Sequence, residues 1–184
     1  MRFLCEYNSW MEIRTHFKRG YEIWYQNNKS FFLDIKLIFI TAWVILGDGR
    51  QKEPMKKKIE VLGLQKNFLF LGSHPSEEMS ELFTHADAML VTLKNNLIFS
   101  MTIPNKIQSY MACSKPIIAS IDGEGGRVIL EAKCGLVSSS EEYISFSNSI
   151  NKFISLTPEE KDLMGLNARL YFKNEFEREK QLDK

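Results

Sequence analysis

The sequence is poor in the residues that mark a disulfide framework, a metal centre or a membrane span. Its only cysteines are Cys5, Cys113 and Cys134, widely spaced and odd in number, so neither paired cystines nor a zinc pattern can be read from them. That usage suits a reducing, cytoplasmic compartment, and no metal or cofactor is expected. His16, His74 and His85 stand far apart without a Ser or Cys partner motif, so no catalytic triad is visible. No apolar run approaches the ~20 residues a membrane helix needs; in FFLDIKLIFITAWVILG, Asp34 and Lys36 leave about eleven unbroken. Charges interrupt MRFLCEYNSWMEIR, which argues against a signal peptide at residues 1–14. A net charge of +1 lacks the basic excess of a nucleic-acid binder. The dense basic run Lys56-Lys57-Lys58, flanked by Glu53 and Glu60, reads as a solvated helix face.

What is present is an ordinary globular composition, 44% hydrophobic and 26% charged, enough to bury one core in a chain of 184 residues. From residue 36 onward, short apolar runs alternate with amphipathic segments. IKLIFI or WVIL reads as a strand ended by Gly47-Asp48-Gly49, and a helix follows over 51–63. NFLFLG, DAMLVTL, KPIIAS and GLVSS read as four more strands. Helices are expected over 76–84, 104–112 and 126–133, and residues 140–184 read as mainly helical. Continuously apolar strands separated by helices mark a parallel sheet covered on both faces. The fold class is therefore α/β, a doubly wound parallel sheet with a mainly helical C-terminal segment. Residues 1–35 read as an atypical, helical N-terminal segment before the sheet domain of 36–184.

In such sheets a ligand sits beyond the carboxyl ends of the strands. Two stretches there carry candidate chemistry. Pro104 suits a helix start, which would point the N–H groups of Asn105, Lys106 and Ile107 outward as an anion site, with Lys106 adding charge and Ser109 a hydroxyl. The bland alternative is a plain proline-started helix with a snorkelling lysine. DGEGGR places Gly123, Gly125 and Gly126 between a strand and a helix, where a backbone can approach a ligand closely. Val128 takes the last glycine position of G-x-G-x-x-G, so a dinucleotide fingerprint is incomplete. Asp122 and Glu124 could hold a metal–diphosphate, although carboxylates in a glycine turn are more often solvated. Arg50, after LGDG, repeats the order of strand, tight turn and basic residue. His74 follows a strand end and could line the crevice, whereas His85, beside Asp87, reads as a helix cap.

Four landmarks in order resemble the C-terminal half of a retaining, group 1 (family 4) GT-B glycosyltransferase. They are VILGDGRQKEPMKKKIEVLGLQKNFLFLG, SEEMSELFTHADAMLVTL, IPNKIQSYMACSKPIIASIDGEGGRVILEAKCG and LTPEEKDLMGLNARLYFKNEF. The third is similar to bacterial surface-polysaccharide transferases of the N-acetyl-L-fucosamine type. The resemblance implies a Rossmann-like half of a GT-B fold that binds a nucleoside-diphosphate sugar, UDP-linked, without a metal. It further implies that Asn105 and Lys106 meet the diphosphate, Gly72 and Ser73 line the base, and Glu124 lies near the donor sugar or phosphates; Gly125 and Arg50, read from their glycine turns, complete the candidate nucleotide-sugar-binding set. Ser109 stands where many relatives carry a ribose-binding glutamate, and Ser114 where glycine is usual. The family's basic pair is expected within the first 35 residues, yet nothing there matches, and the acceptor half is absent from this sequence. The chain thus reads as one half of an enzyme whose acceptor is lipid-linked or a glycan. Contact with the inner membrane face and self-association through uncovered apolar surface are the expected partners besides the donor. The rival readings are a sugar-nucleotide epimerase and a non-catalytic nucleotide-binding remnant.

Overall fold

The computed structural model describes residues 2–6, 42–46 and 52–177. Among them, strands β1 (Arg2–Glu6), β2 (Ala42–Leu46), β3 (Phe68–Gly72), β4 (Ala88–Thr92), β5 (Ile117–Ser120) and β6 (Gly135–Ser138) form one sheet. Their order is β3-β2-β1-β4-β5-β6, and every neighbouring pair is parallel. The winding reverses between β1 and β4, which opens a crevice at their carboxyl ends. The helices are α1 (Lys52–Val61), α2 (Ser76–Thr84), α3 (Leu97–Ser100), α4 (Asn105–Ala112), α5 (Glu124–Glu131), α6 (Tyr143–Ser155) and α7 (Pro158–Glu175). The expected doubly wound α/β class with a helical C-terminal part is what the chain adopts.

One boundary differs. Residues 2–6 were expected within a helical N-terminal segment, but RFLCE is the strand β1, paired with β2 on one side and β4 on the other. A strand this short carries no helical periodicity to betray it, and its place is set by two partners distant in sequence. The sheet domain therefore does not begin at residue 36. The run IKLIFI, the turn Gly47–Arg50, His16 and residues 178–184 lie outside the described residues.

The core has two layers, one on each face of the sheet. In β4, Met89 and Val91 point into one cluster with Phe83, Ile107, Tyr110, Met111, Val128 and Ile129. Ala88 and Leu90, alternating with them, join Ile45, Met55, Ile59, Phe146 and Phe153 on the other face. Burial on both faces is why these strands read as unbroken apolar runs rather than as alternation.

Local chemistry then places the helix ends. Gly63 at φ 64° ends the turn after α1, as its position in the sequence suggested. Thr157 and Glu160 form a reciprocal capping box at the start of α7, with Pro158 in the first turn. Lys115 Nζ donates to the carbonyls of Thr84 and Ala86, at 2.9 Å each, closing the end of α2. Arg169 of α7 likewise donates to the Ala112 carbonyl at the end of α4 (2.8 Å) and stacks on Phe172. Arg169→Ala removes both contacts and strands a helix-end carbonyl. It is expected to cost about 1–2 kcal/mol in urea unfolding; a change near zero would show that water replaces the guanidinium.

Candidate functional site

The carboxyl ends of β4 and β5 each feed a helix, and the starts of those helices meet. α4 begins after Pro104, whose φ of −59° and ψ of 133° place it just outside the first turn. The Ile107 N–H donates to the Pro104 carbonyl (2.9 Å), so Ile107 does not contribute to the anion site expected of three outward N–H groups. Its side chain is buried with Met111, while Asn105 is exposed and Lys106 half-buried. Ser109 is exposed one turn on; its hydroxyl donates to the Asn105 carbonyl (3.2 Å) and keeps lone pairs facing solvent.

The second helix begins earlier than the sequence suggests. α5 starts at Glu124, so Gly125 and Gly126 belong to its first turn, and only Gly123, at φ 75°, is a turn glycine. The side of Gly125 where a Cβ would stand is closed by protein. The residue is buried, and a Cβ there would lie 2.7 Å from Ile121 Cδ1 and 3.1 Å from both Ile107 Cδ1 and Pro104 Cδ. Its smallness lets α5 close onto the start of α4. Gly123 is tighter still, since a Cβ would fall inside the Ser100 carbonyl at the end of α3. These glycines therefore draw three segments together beyond the carboxyl ends of β4 and β5.

Glu124 stands in the first turn of α5, where its charge suits the helix dipole. Arg127 Nε and Nη2 both donate to Glu124 Oε2 (3.0 and 2.8 Å), and Nη1 donates to Glu131. The Arg127 hydrogen bond holds the Glu124 carboxyl below the usual carboxylate range. The pair is exposed, so its stabilising effect is small; it is present at neutral pH and is lost as pH falls through that depressed value. Asp122 Oδ1 accepts the Ser140 N–H (3.3 Å), tying the β5 turn to the loop after β6. Neither acid is placed with a third ligand: among the described residues no group of three His, Cys, Asp or Glu could hold a metal.

Gly72 and Ser73 are not brought beside this pair of helices. Gly72, at φ 76°, ends β3, and Ser73 is exposed after it. β3 lies three strand spacings from β4, roughly 14 Å, so a ligand touching both would reach across the β1–β4 crevice. His74 does not present a free ring to that crevice, because Nδ1 meets Glu78 (2.9 Å) and Nε2 meets the Leu71 carbonyl (3.2 Å). His85 is the C-cap residue of α2, as its position suggested. Arg50 lies outside the described residues.

Sequence reasoning missed two features here. In register across the strand ends stand Thr92, Ser120 and Ser138, all buried. Ser120 donates to the Ser139 carbonyl and Ser138 to the Ala119 carbonyl, whereas the Thr92 hydroxyl has no partner among the described residues. Only the register puts these hydroxyls in a row. The other feature is α3, whose signal was legible: Asn96 before an apolar run is an N-cap, and its Oδ1 accepts the Ile98 N–H (2.8 Å).

A parallel sheet in this strand order, with helix starts gathered beyond its carboxyl ends, defines a Rossmann-like class of α/β domain. Residues 38–171 match the family model described as glycosyl transferases group 1, and the chain belongs to that family. No curated protein sequence matches it. Among solved structures it is similar to HepE of Anabaena, in complex with UDP, at 18% identity and TM-score 0.68, covering 95% of this chain and 44% of that one. TarM of S. aureus matches at 13% identity and TM-score 0.70 over 99% of this chain and 34% of its own. A glycosyltransferase from Rickettsia africae gives 16% and 0.70, with 99% and 46% covered. The chain thus spans less than half the length of these proteins.

Proposed function

We propose that this chain is the donor-binding half of a group 1 glycosyltransferase. Its ligand is a nucleoside-diphosphate sugar, UDP-linked, and the whole enzyme moves that sugar with retention and without a metal. The observation that carries this reading is the meeting of the α4 and α5 starts through buried Gly125, beyond the ends of β4 and β5. Two positive dipole ends then converge where a diphosphate would lie, with Lys106 beside them. Asn105 and Lys106 hold the phosphates, and the Ser109 hydroxyl reaches the ribose. Gly72 and Ser73 flank the base across the crevice, while Glu124, turned toward Arg127, borders the sugar. Arg50, outside the described residues, is assigned to the same donor-binding set.

HepE was solved with UDP-glucose as well as with UDP, which supports the choice of nucleotide. The finer assignment, by resemblance of IPNKIQSYMACSKP, is a transferase of the N-acetyl-L-fucosamine type in surface-polysaccharide synthesis. Its acceptor is lipid-linked or a glycan, and the enzyme works in the cytoplasm against the inner membrane face.

The isolated chain is expected to bind UDP weakly, with Kd of about 0.1–1 mM, or roughly −4 to −5.5 kcal/mol. Phosphate contacts in a crevice reached by water would be screened, which lowers the affinity expected. Titration calorimetry with UDP tests this, and absence of binding at millimolar UDP overturns the reading. Incubation with UDP-sugars and candidate acceptors separates the classes. Acceptor-dependent UDP release marks a transferase that this chain completes alone, and an epimerised sugar without UDP release marks an epimerase.

A further inference from the structure

Helix α7 buries one apolar face and leaves a second in the open. Its inner side packs Ala168, Tyr171 and Phe172 into the core beside α4. On the outer side Leu163, Leu166 and Leu170 are 56%, 55% and 50% exposed. Isolated surface leucines are ordinary, but three at spacings of 3 and 4 make a continuous seam along a helix. The seam is not at the crevice. Gly165 lies hard against the Ser114 carbonyl, and Arg169 donates to the Ala112 carbonyl, so this part of α7 lies where α4 ends and β5 is about to begin. That is the amino-terminal side of the sheet, away from the strand ends where an acceptor half would stand.

The ends of the seam carry opposite charges. Glu159 stands seven residues before Leu166 and Lys173 seven after it, both exposed and in line with the leucines. At about 1.5 Å of rise per residue, each charge is roughly 10 Å from the centre. Turned end for end about Leu166, the same helix therefore sets Lys173 opposite Glu159 twice, and brings Leu163 within one residue of Leu170. The Glu159 carboxyl, held below the usual carboxylate range by its own backbone N–H and the Thr157 hydroxyl, keeps lone pairs for a lysine. Lys173 has no ion pair among the described residues.

We propose that the outer face of α7 is a self-complementary interface, on which two copies of this chain pair through antiparallel α7 helices. A parallel pair would set like charges together at both ends, which repel. The two-fold arrangement joins the three leucines of each copy and closes the assembly, because one patch serves both partners. Its area falls at the low end for specific interfaces, at or below about 1,200 Å² in total, so the dimer is weak and reversible. The interface is independent of the donor-binding reading.

Sedimentation velocity of the 184-residue chain tests this, over a range from about 10 µM to 1 mM that suits so small an interface. A monomer–dimer equilibrium within that range is expected. Leu166→Glu puts two like charges on the axis and should weaken the dimer about a hundredfold. Leu166 is exposed, so the dilute variant should melt as the wild type does. Glu159→Lys and Lys173→Glu should each weaken the dimer about tenfold alone, less so in high salt. Mixed in equal amounts, these two variants should recover a heterodimer near wild-type strength, because each supplies the charge the other lost. A monomer throughout the range overturns the proposal. So does a dimer that Leu166→Glu leaves intact, or one that Leu97→Ser/Ile98→Ser abolishes, which would move the interface to the crevice edge. Single reversals that fail to recover on mixing overturn the antiparallel pairing.

Discussion

Gly123→Ala is expected to destabilise the domain by roughly 3–5 kcal/mol, the largest effect of any single substitution considered. The backbone there has φ 75° and ψ −147°, a region close to glycine-only, and forcing another residue into it costs about 1–3 kcal/mol. The added methyl would also fall inside the Ser100 carbonyl, a backbone atom that cannot swing away as a side chain would. Overpacking of that kind adds about 1–3 kcal/mol. Urea unfolding followed by circular dichroism measures the sum. A loss under 1 kcal/mol would mean that α3 moves off the turn at little cost, which would remove the close approach that fixes α3 beside α5. Gly123→Ala should accordingly also loosen the crevice edge, seen as faster amide exchange in α3 and in the first turn of α5.

Lys106→Ala should lower UDP affinity about tenfold or more, because a charge-assisted hydrogen bond contributes roughly 1.5–3 kcal/mol. The α4 helix itself should persist, since Ile107 and Met111 anchor its buried side and the substituted residue favours helix. The measurement is calorimetric titration with UDP, with a melting curve to show that the fold is intact. Unchanged affinity in a folded variant would remove Lys106 from the site and with it the reading of α4 as the diphosphate helix. Ser109→Ala provides the comparison. A neutral hydroxyl already engaged with the Asn105 carbonyl should cost less, a few-fold at most.

Much of the site's framework was legible in the chain. Pro104 before NKIQSYMA announced a helix start because proline lacks the N–H that such a position leaves unpaired. The strand AMLVT was legible because burial on both faces demands an unbroken apolar run. GEGG was harder. Glycine clusters signal turns on the ground of backbone freedom, yet here Gly125 and Gly126 are helical, and what selects them is lack of volume against Pro104, Ile107, Ile121 and Val137. Apart from Ile121, those neighbours come from other elements, so local pattern could not reveal the crowding as a whole.

By itself, the sequence determined the period and polarity of the elements from residue 52 onward other than α3, hence the class of fold. Those follow from local physics: side-chain spacing, caps, and the balance of apolar and charged groups within a few residues. Tertiary structure alone decided that RFLCE is the strand where the sheet's winding reverses, that Thr92, Ser120 and Ser138 stand in register, and that Gly125 joins two helix starts. Each of these depends on hydrogen bonding or packing between residues far apart along the chain, where pairing energy rather than local preference selects the partner.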